Sequence, residues 1–187
     1  KFFEVEIKGS SLKSTNDFVK ASFPDRYSEW LDNLPPESRS LFSDIILITD
    51  WYPPQEGLVI PTKTIAKLFY GNNESLASFE IGKFSAKTGL SGIYNLFIKI
   101  ASPSFILKRA SSMFTTYYSH TNFEIIESDK NMAKMEISGF KADEILIFDR
   151  TEGWMNQLGE IISIKFNISK KVEINGNNAN CIILSKW

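Results

Sequence analysis

Cysteine and histidine each occur once in the 187 residues, as Cys181 and His120. A single cysteine excludes an intrachain disulfide and a cysteine-rich zinc site, and a single histidine excludes any site needing two imidazoles. Charge of one sign is also missing. The 21 Lys and Arg against 22 Asp and Glu give a formal net charge of −1, which argues against a basic nucleic-acid binder and a polyacidic tail. Apolar runs such as Ile145 to Phe148 reach only four residues, whereas a membrane-spanning helix needs about 20. The first apolar stretch, Phe2 to Ile7, is broken by Glu4 and Glu6, unlike a signal peptide. A cytoplasmic protein with no membrane span and no nucleic-acid partner is the expectation. Gly82, Gly89 and Gly92 match neither a dinucleotide fingerprint nor a phosphate loop.

Apolar and aromatic residues are plentiful: 43% and 13% of the chain, with 15 Phe. That content supports a large core. Phe3, Val5 and Ile7 alternate with charged residues, as in a half-buried strand ending at Gly9. Ser10 or Ser11 then suits the cap of a helix bearing Leu12, Phe18 and Val19. Short helices follow from Pro24 and Pro35-Pro36, and Ile45 to Tyr52 reads as extended. Pro61 fits the first turn of a helix with Ile65, Leu68 and Phe69 inward, and Gly71-Asn72-Asn73 ends it and caps the next. That next helix puts Leu76, Ala77, Ile81 and Phe84 on one face and stops at Gly89. Helical spacing resumes at Leu90, Ile93, Tyr94, Phe97 and Ile100, and again from Ser102-Pro103 to Tyr118.

The last third changes period. Residues 123–137 read as a hairpin turning at Asp129-Lys130-Asn131, and 172–184 as another turning at Gly176-Asn177-Asn178. Between them a long helix is expected over Asp143 to Phe166, with Ile147, Trp154, Leu158, Ile161 and Ile162 on its apolar face. Gly153 and Gly159 each cost such a helix about 1 kcal/mol against Ala, which a close packing partner would offset. One strand, several helices and then ββαββ indicate an α+β fold: N-terminal helices packed on an antiparallel sheet with a C-terminal ββαββ unit. Without a long linker or repeat, residues 1–187 read as a single domain.

Few residues point to chemistry. His120 near a helix end suits the helix macrodipole, with a haem or metal ligand as the sharper alternative. Cys181 among Ile and Leu reads as a small buried hydrophobe, although a Cys–His pair assembled by the fold stays open. Asp149 and Glu152 are expected to pair with Arg150 or face water, and nothing selects them as an acid/base pair. The rings of Tyr70, Phe84, Tyr94, Phe97, Phe114, Tyr117 and Trp154 fall mostly on apolar helix faces. They read as core, or as the lining of an apolar pocket with tyrosine hydroxyls as its polar anchors.

Several stretches carry a resemblance: Gly9-Ser10-Ser11-Leu12, Trp51-Tyr52-Pro53, Glu80-Ile81-Gly82-Lys83, Gly89-Leu90-Ser91-Gly92-Ile93-Tyr94, Ser102-Pro103 and Thr116-Tyr117-Tyr118. Their order resembles a bacterial family of about this length. That family is related to the superfamily of haem-nitric-oxide-binding domains, small TRAPP tethering subunits and 4-vinyl-reductase-type ligand-binding domains. The resemblance implies helices on one face of a sheet, a ligand cavity and dimerisation. It does not carry over the relatives' cofactors. The segment Gly92 to Lys99 lacks the histidine that holds haem iron in the haem-binding relatives, and their Tyr-x-Ser-x-Arg pattern is missing; Ser104 and Arg109 are not so spaced. The cysteine sites of the other branches are missing too.

The resulting expectation is a non-enzymatic sensor or binding domain without haem or another cofactor, taking a small apolar ligand between the helices of 74–118, the long helix and the sheet. The rival reading is a homodimerising scaffold with a filled core, joined through Leu90, Ile93, Phe97 and Ile100.

Overall fold

The computed structural model describes residues 4–91 and 102–187. Strand β1 (Ile7–Lys8) leads into α1 (Gly9–Ser22), a 3-10 turn (Pro24–Arg26), α2 (Tyr27–Asp32) and α3 (Pro36–Ser43). After β2 (Trp51–Tyr52), a π-helical stretch (Gln55–Val59) runs into α4 (Ile60–Phe69), followed by α5 (Glu74–Gly89) and α6 (Pro103–Phe114). The chain then forms β3 (Asn122–Ser128), β4 (Met132–Lys141), α7 (Leu146–Ile162), β5 (Asn167–Asn175) and β6 (Asn178–Lys186). This is the expected α+β architecture with its C-terminal ββαββ unit.

The four long strands form one antiparallel sheet in the order β3-β4-β6-β5. Period-two alternation sends Ala133, Met135 and Ile137 of β4, with Cys181 and Ile183 of β6, to one fully buried face. Helix α7 covers that face: Phe148 meets Phe140 edge-on at 5.8 Å, and Lys170 of β5 pairs with Asp149 and Glu152. Helix α5 crosses α7 where glycines bring the backbones together. A Cβ on Gly82 would lie 2.0 Å from the Arg150 carbonyl oxygen, and one on Gly153 would lie 2.0 Å from that of Phe79. The packing partner anticipated for Gly153 is therefore α5. The Ser78 hydroxyl adds a 2.6 Å hydrogen bond to the Leu146 carbonyl. Beyond α5, α1 to α4 enclose Trp30, fully buried with its indole N–H donating to the Pro61 carbonyl.

Several boundaries differ from the sequence expectation, each for a tertiary reason. Helix α6 stops at Phe114 rather than Tyr118, because residues 117–119 turn extended beside β1. The Lys8 amide donates to the Tyr117 carbonyl at 2.8 Å and the Ser119 amide to the Glu6 carbonyl at 2.9 Å. His120 accordingly sits in a turn with φ of 55°, exposed, rather than at a helix end. Helix α7 ends at Ile162, four residues before Phe166, where Ser163 takes the left-handed conformation and the Ile164 amide closes onto the Gly159 carbonyl. A Cβ on Gly159 would lie 2.6 Å from the Ile164 carbonyl oxygen, so this glycine makes room for the reversal. Helix α1 starts at Gly9 with no side-chain cap, so neither Ser10 nor Ser11 serves as one. Of the stretch Ile45 to Tyr52, only Trp51 and Tyr52 pair as a strand, and Ile45 is 86% exposed. Leu76 is exposed while its face-mates Ala77 and Ile81 are buried. Asn73 and Ser102 do cap α5 and α6, accepting from the Leu76 and Phe105 amides. The helical reading of Ile93 to Ile100 lies outside the described residues, as do Tyr94 and Phe97.

Candidate functional site

Of the aromatic candidates, Tyr70, Phe84 and Phe114 fall in two ring clusters. Phe84 on α5 meets Phe18 of α1 edge-on at 5.6 Å. Phe18 meets Phe23, which stacks on Phe69 at 4.0 Å and takes the edge of Tyr70 at 6.1 Å. Burial, with the charge of Glu80 behind it, pushes the Tyr70 hydroxyl above its usual value. Phe114 belongs to the second cluster, against Tyr118, Phe123 and Phe140. Tyr117 is exposed, and Trp154 lies half-buried on α7. The fold thus brings Tyr70 and Phe84 into one row, and sets Phe114 and Tyr117 apart from it.

Between the clusters lies a group of buried polar side chains. Arg150 projects from α7 toward α1 and is only 4% exposed. Its Nη1 donates to the Thr15 hydroxyl and its Nη2 to the Ser11 carbonyl, both at 3.0 Å. The Thr15 hydroxyl donates in turn to the Ser11 carbonyl at 3.2 Å. Burial pulls the guanidinium below its ordinary range, against the opposing influence of Tyr118. Tyr118 is itself buried, which raises its hydroxyl, while Arg150 and Ser11 work the other way. Beside this group, Ser14 and Ser85 share a 2.6 Å hydrogen bond that joins α1 to α5.

The expected pairing of Asp149 and Glu152 with Arg150 does not form. Both carboxylates turn to the sheet side of α7 and hold Lys170, and Ser75 donates to Asp149 at 2.8 Å. Burial opposes the charge on Lys170, but those two hydrogen bonds outweigh it and raise the ammonium above its usual value. Cys181 lies beneath the same triad, and burial pushes its thiol up to about 12, which leaves it protonated and unreactive. An exposed His120 and a fully buried Cys181 do not form a nucleophilic pair. Among the described residues no cluster of His, Cys, Asp and Glu could hold a metal ion. An open depression of about 410 Å³ lies on the outer sheet face, lined by Met132, Ile182 and Leu184 with Lys134, Lys171 and Glu127 around them. None of the aromatic candidates lines it.

The sequence reading treats Arg150 only as a partner for Asp149 and Glu152, although a signal of its burial is present. Three residues after Ile147 and four before Trp154, Arg150 interrupts the apolar stripe of α7 at helical spacing.

No protein-family model matches the sequence, and no curated protein matches it either. Solved structures do. The Fe(II) unliganded H-NOX protein from K. algicida superposes with a TM-score of 0.71 over 97% of each chain, at 12% identity. A variant of Tt H-NOX gives 0.70 over 96% of this chain and 94% of its own, at 13% identity. The S. oneidensis H-NOX protein in its Fe(II)NO state gives 0.65 over 97% of this chain and all of its own, again at 13%. The chain has the H-NOX fold. The part of the resemblance that concerned haem-nitric-oxide-binding domains holds at the level of the fold.

That fold raises the question of haem. Protein axial ligands to haem iron are His, Cys thiolate, Met or Tyr. The chain's one histidine is exposed on the turn before β3, its one cysteine is protonated beneath the sheet, and residues 92–101 contain neither. Neither residue therefore presents an imidazole or a thiolate to the described interior.

Proposed function

We propose that the chain is a non-enzymatic sensor domain on the H-NOX scaffold that binds a small, mainly apolar molecule and not a histidine-ligated haem. Likeness to H-NOX structures across nearly the whole of both chains supports a ligand-binding role. The observation that carries the departure from haem is the position of His120, outside the core. The ring row of Phe18, Phe84 and Tyr70, with Trp154 nearby on α7, supplies the apolar lining in this reading; Tyr94, Phe97, Phe114 and Tyr117 complete the candidate set. Kinship with TRAPP subunits and vinyl-reductase-type domains, a homodimeric state and a cytoplasmic setting belong to the same reading. Occupancy would act by shifting α5 or α1 against α7, provided the ligand prefers one arrangement.

The test is twofold. Native mass spectrometry of gently purified protein is expected to reveal a co-purifying small organic molecule or, after extraction, a thermal shift with an acyl or aromatic ligand. Titration with hemin is expected to give the absorption of free hemin. A stoichiometric complex with an axial-ligand spectrum would overturn the haem-free reading, and no co-purifying molecule together with no shift with any ligand would overturn the sensor reading.

A further inference from the structure

Arg150 brings a positive charge into the interior where, among the described residues, no carboxylate meets it. Its two acceptors, a hydroxyl and a carbonyl, are both neutral. The ion pairs of the described residues lie elsewhere. The segments outside the description, residues 1–3 and 92–101, contain no Asp or Glu, so they hold no side-chain carboxylate that could serve. On the sheet side of α7 the distribution is reversed: two carboxylates share the single ammonium of Lys170. An unpaired buried cation is among the most destabilising placements in a fold, and a buried charge is ordinarily paired.

We propose that Arg150 receives the carboxylate of a bound ligand whose remaining body is apolar, such as a fatty acid. This rests on the ligand-binding reading above and adds the class of ligand. A guanidinium presents a planar fork that matches a carboxylate with two parallel hydrogen bonds. The buried Tyr118 hydroxyl, which engages the Ser11 side chain, belongs to the same polar group. The surroundings grade in the way an amphipathic ligand requires. Ser11 and Thr15 of α1 contact the guanidinium, Ser14 and Ser85 come next, and one turn along α1 the Phe18–Phe84 pair begins the ring row.

The experiment compares decanoate with 1-decanol by calorimetry on the delipidated full chain, in wild type, Arg150→Met and Arg150→Lys. Wild type is expected to bind decanoate more tightly than decanol by about tenfold or more, the value of one buried charge-assisted hydrogen bond. Arg150→Met is expected to bind the two equally and to melt above wild type without ligand. Arg150→Lys keeps the charge without the fork, so it is expected to retain part of the preference and to report on the site even if the Met variant fails to fold. Equal binding of acid and alcohol by wild type overturns the role of Arg150 and leaves the ligand-binding reading intact. Binding of neither overturns both. A Met variant that melts below wild type yet still prefers decanoate makes Arg150 a structural strut and likewise overturns the assignment.

Discussion

Glu144 illustrates how a single buried carboxylate sets a pH dependence. It is 3% exposed on the turn into α7, where its Oε2 accepts from the Lys141 amide at 2.8 Å. Burial raises it above its ordinary 4.5, aided by Asp143 and Glu4 and opposed by the Lys141 amide and ammonium. A raised folded-state value means that the protonated form suits the fold. The group's contribution is fully present below the unfolded value and is lost as pH rises through the folded one. Glu144→Gln keeps an acceptor for the amide without the charge. It is expected to be more stable than wild type at neutral pH, with the difference fading as the pH falls to the unfolded value; thermal melts across that range check it. At this scale the sequence was only partly legible. Arg150 is visible as an intruder in an apolar stripe, but its partners on α1 lie 135 or more residues away and leave no local mark. For the same reason chain neighbourhood points Asp149 and Glu152 to Arg150 or to water, whereas β5 supplies the cation.

Among the elements, the contact of α5 with α7 depends most on residue size. Gly153 lies in the middle of α7, where Ala is favoured by about 1 kcal/mol on propensity alone. A methyl group there would meet the Phe79 backbone, which a side-chain rotation cannot relieve. Overpacking of this kind costs typically about 1–3 kcal/mol and more where backbone must shift. Gly153→Ala is therefore expected to destabilise by about 2 kcal/mol net, measured by urea unfolding. A Cβ on Gly89 at the end of α5 meets none of the described residues within 4 Å, and Gly89→Ala is expected to be neutral or slightly stabilising. Element identities were mostly readable from local signals: the caps at Asn73 and Ser102, Pro61 in the first turn of α4, and the turns at Asp129-Lys130-Asn131 and Gly176-Asn177. Ends decided by distant backbone were not. Nothing in Thr116-Tyr117-Tyr118 announces that β1 will pull it out of a helix.

At the scale of the molecule, buried residues from the N-terminal helices and from the ββαββ unit form one contiguous cluster. Trp30 reports on the helical end and Trp187, edge-on to Phe166 at 5.6 Å, on the end of the sheet. If residues 1–187 are one cooperative domain, denaturant unfolding followed by fluorescence of single-tryptophan variants at each site and by far-UV circular dichroism is expected to give one midpoint. Two separated transitions would divide the helices from the ββαββ unit.

The sequence by itself determined the class of the protein. Period-two alternation and turn residues specified two hairpins, 3.6-residue spacing specified the helices, and the scarcity of cysteine and histidine narrowed the chemistry. Those are local or compositional properties, and they survive without knowledge of neighbours. Tertiary structure alone decided which ring meets which, where helices stop, and that one arginine is enclosed without a carboxylate while one lysine has two. Burial and charge pairing depend on residues that are distant in the chain, and no spacing along it encodes their separation in space.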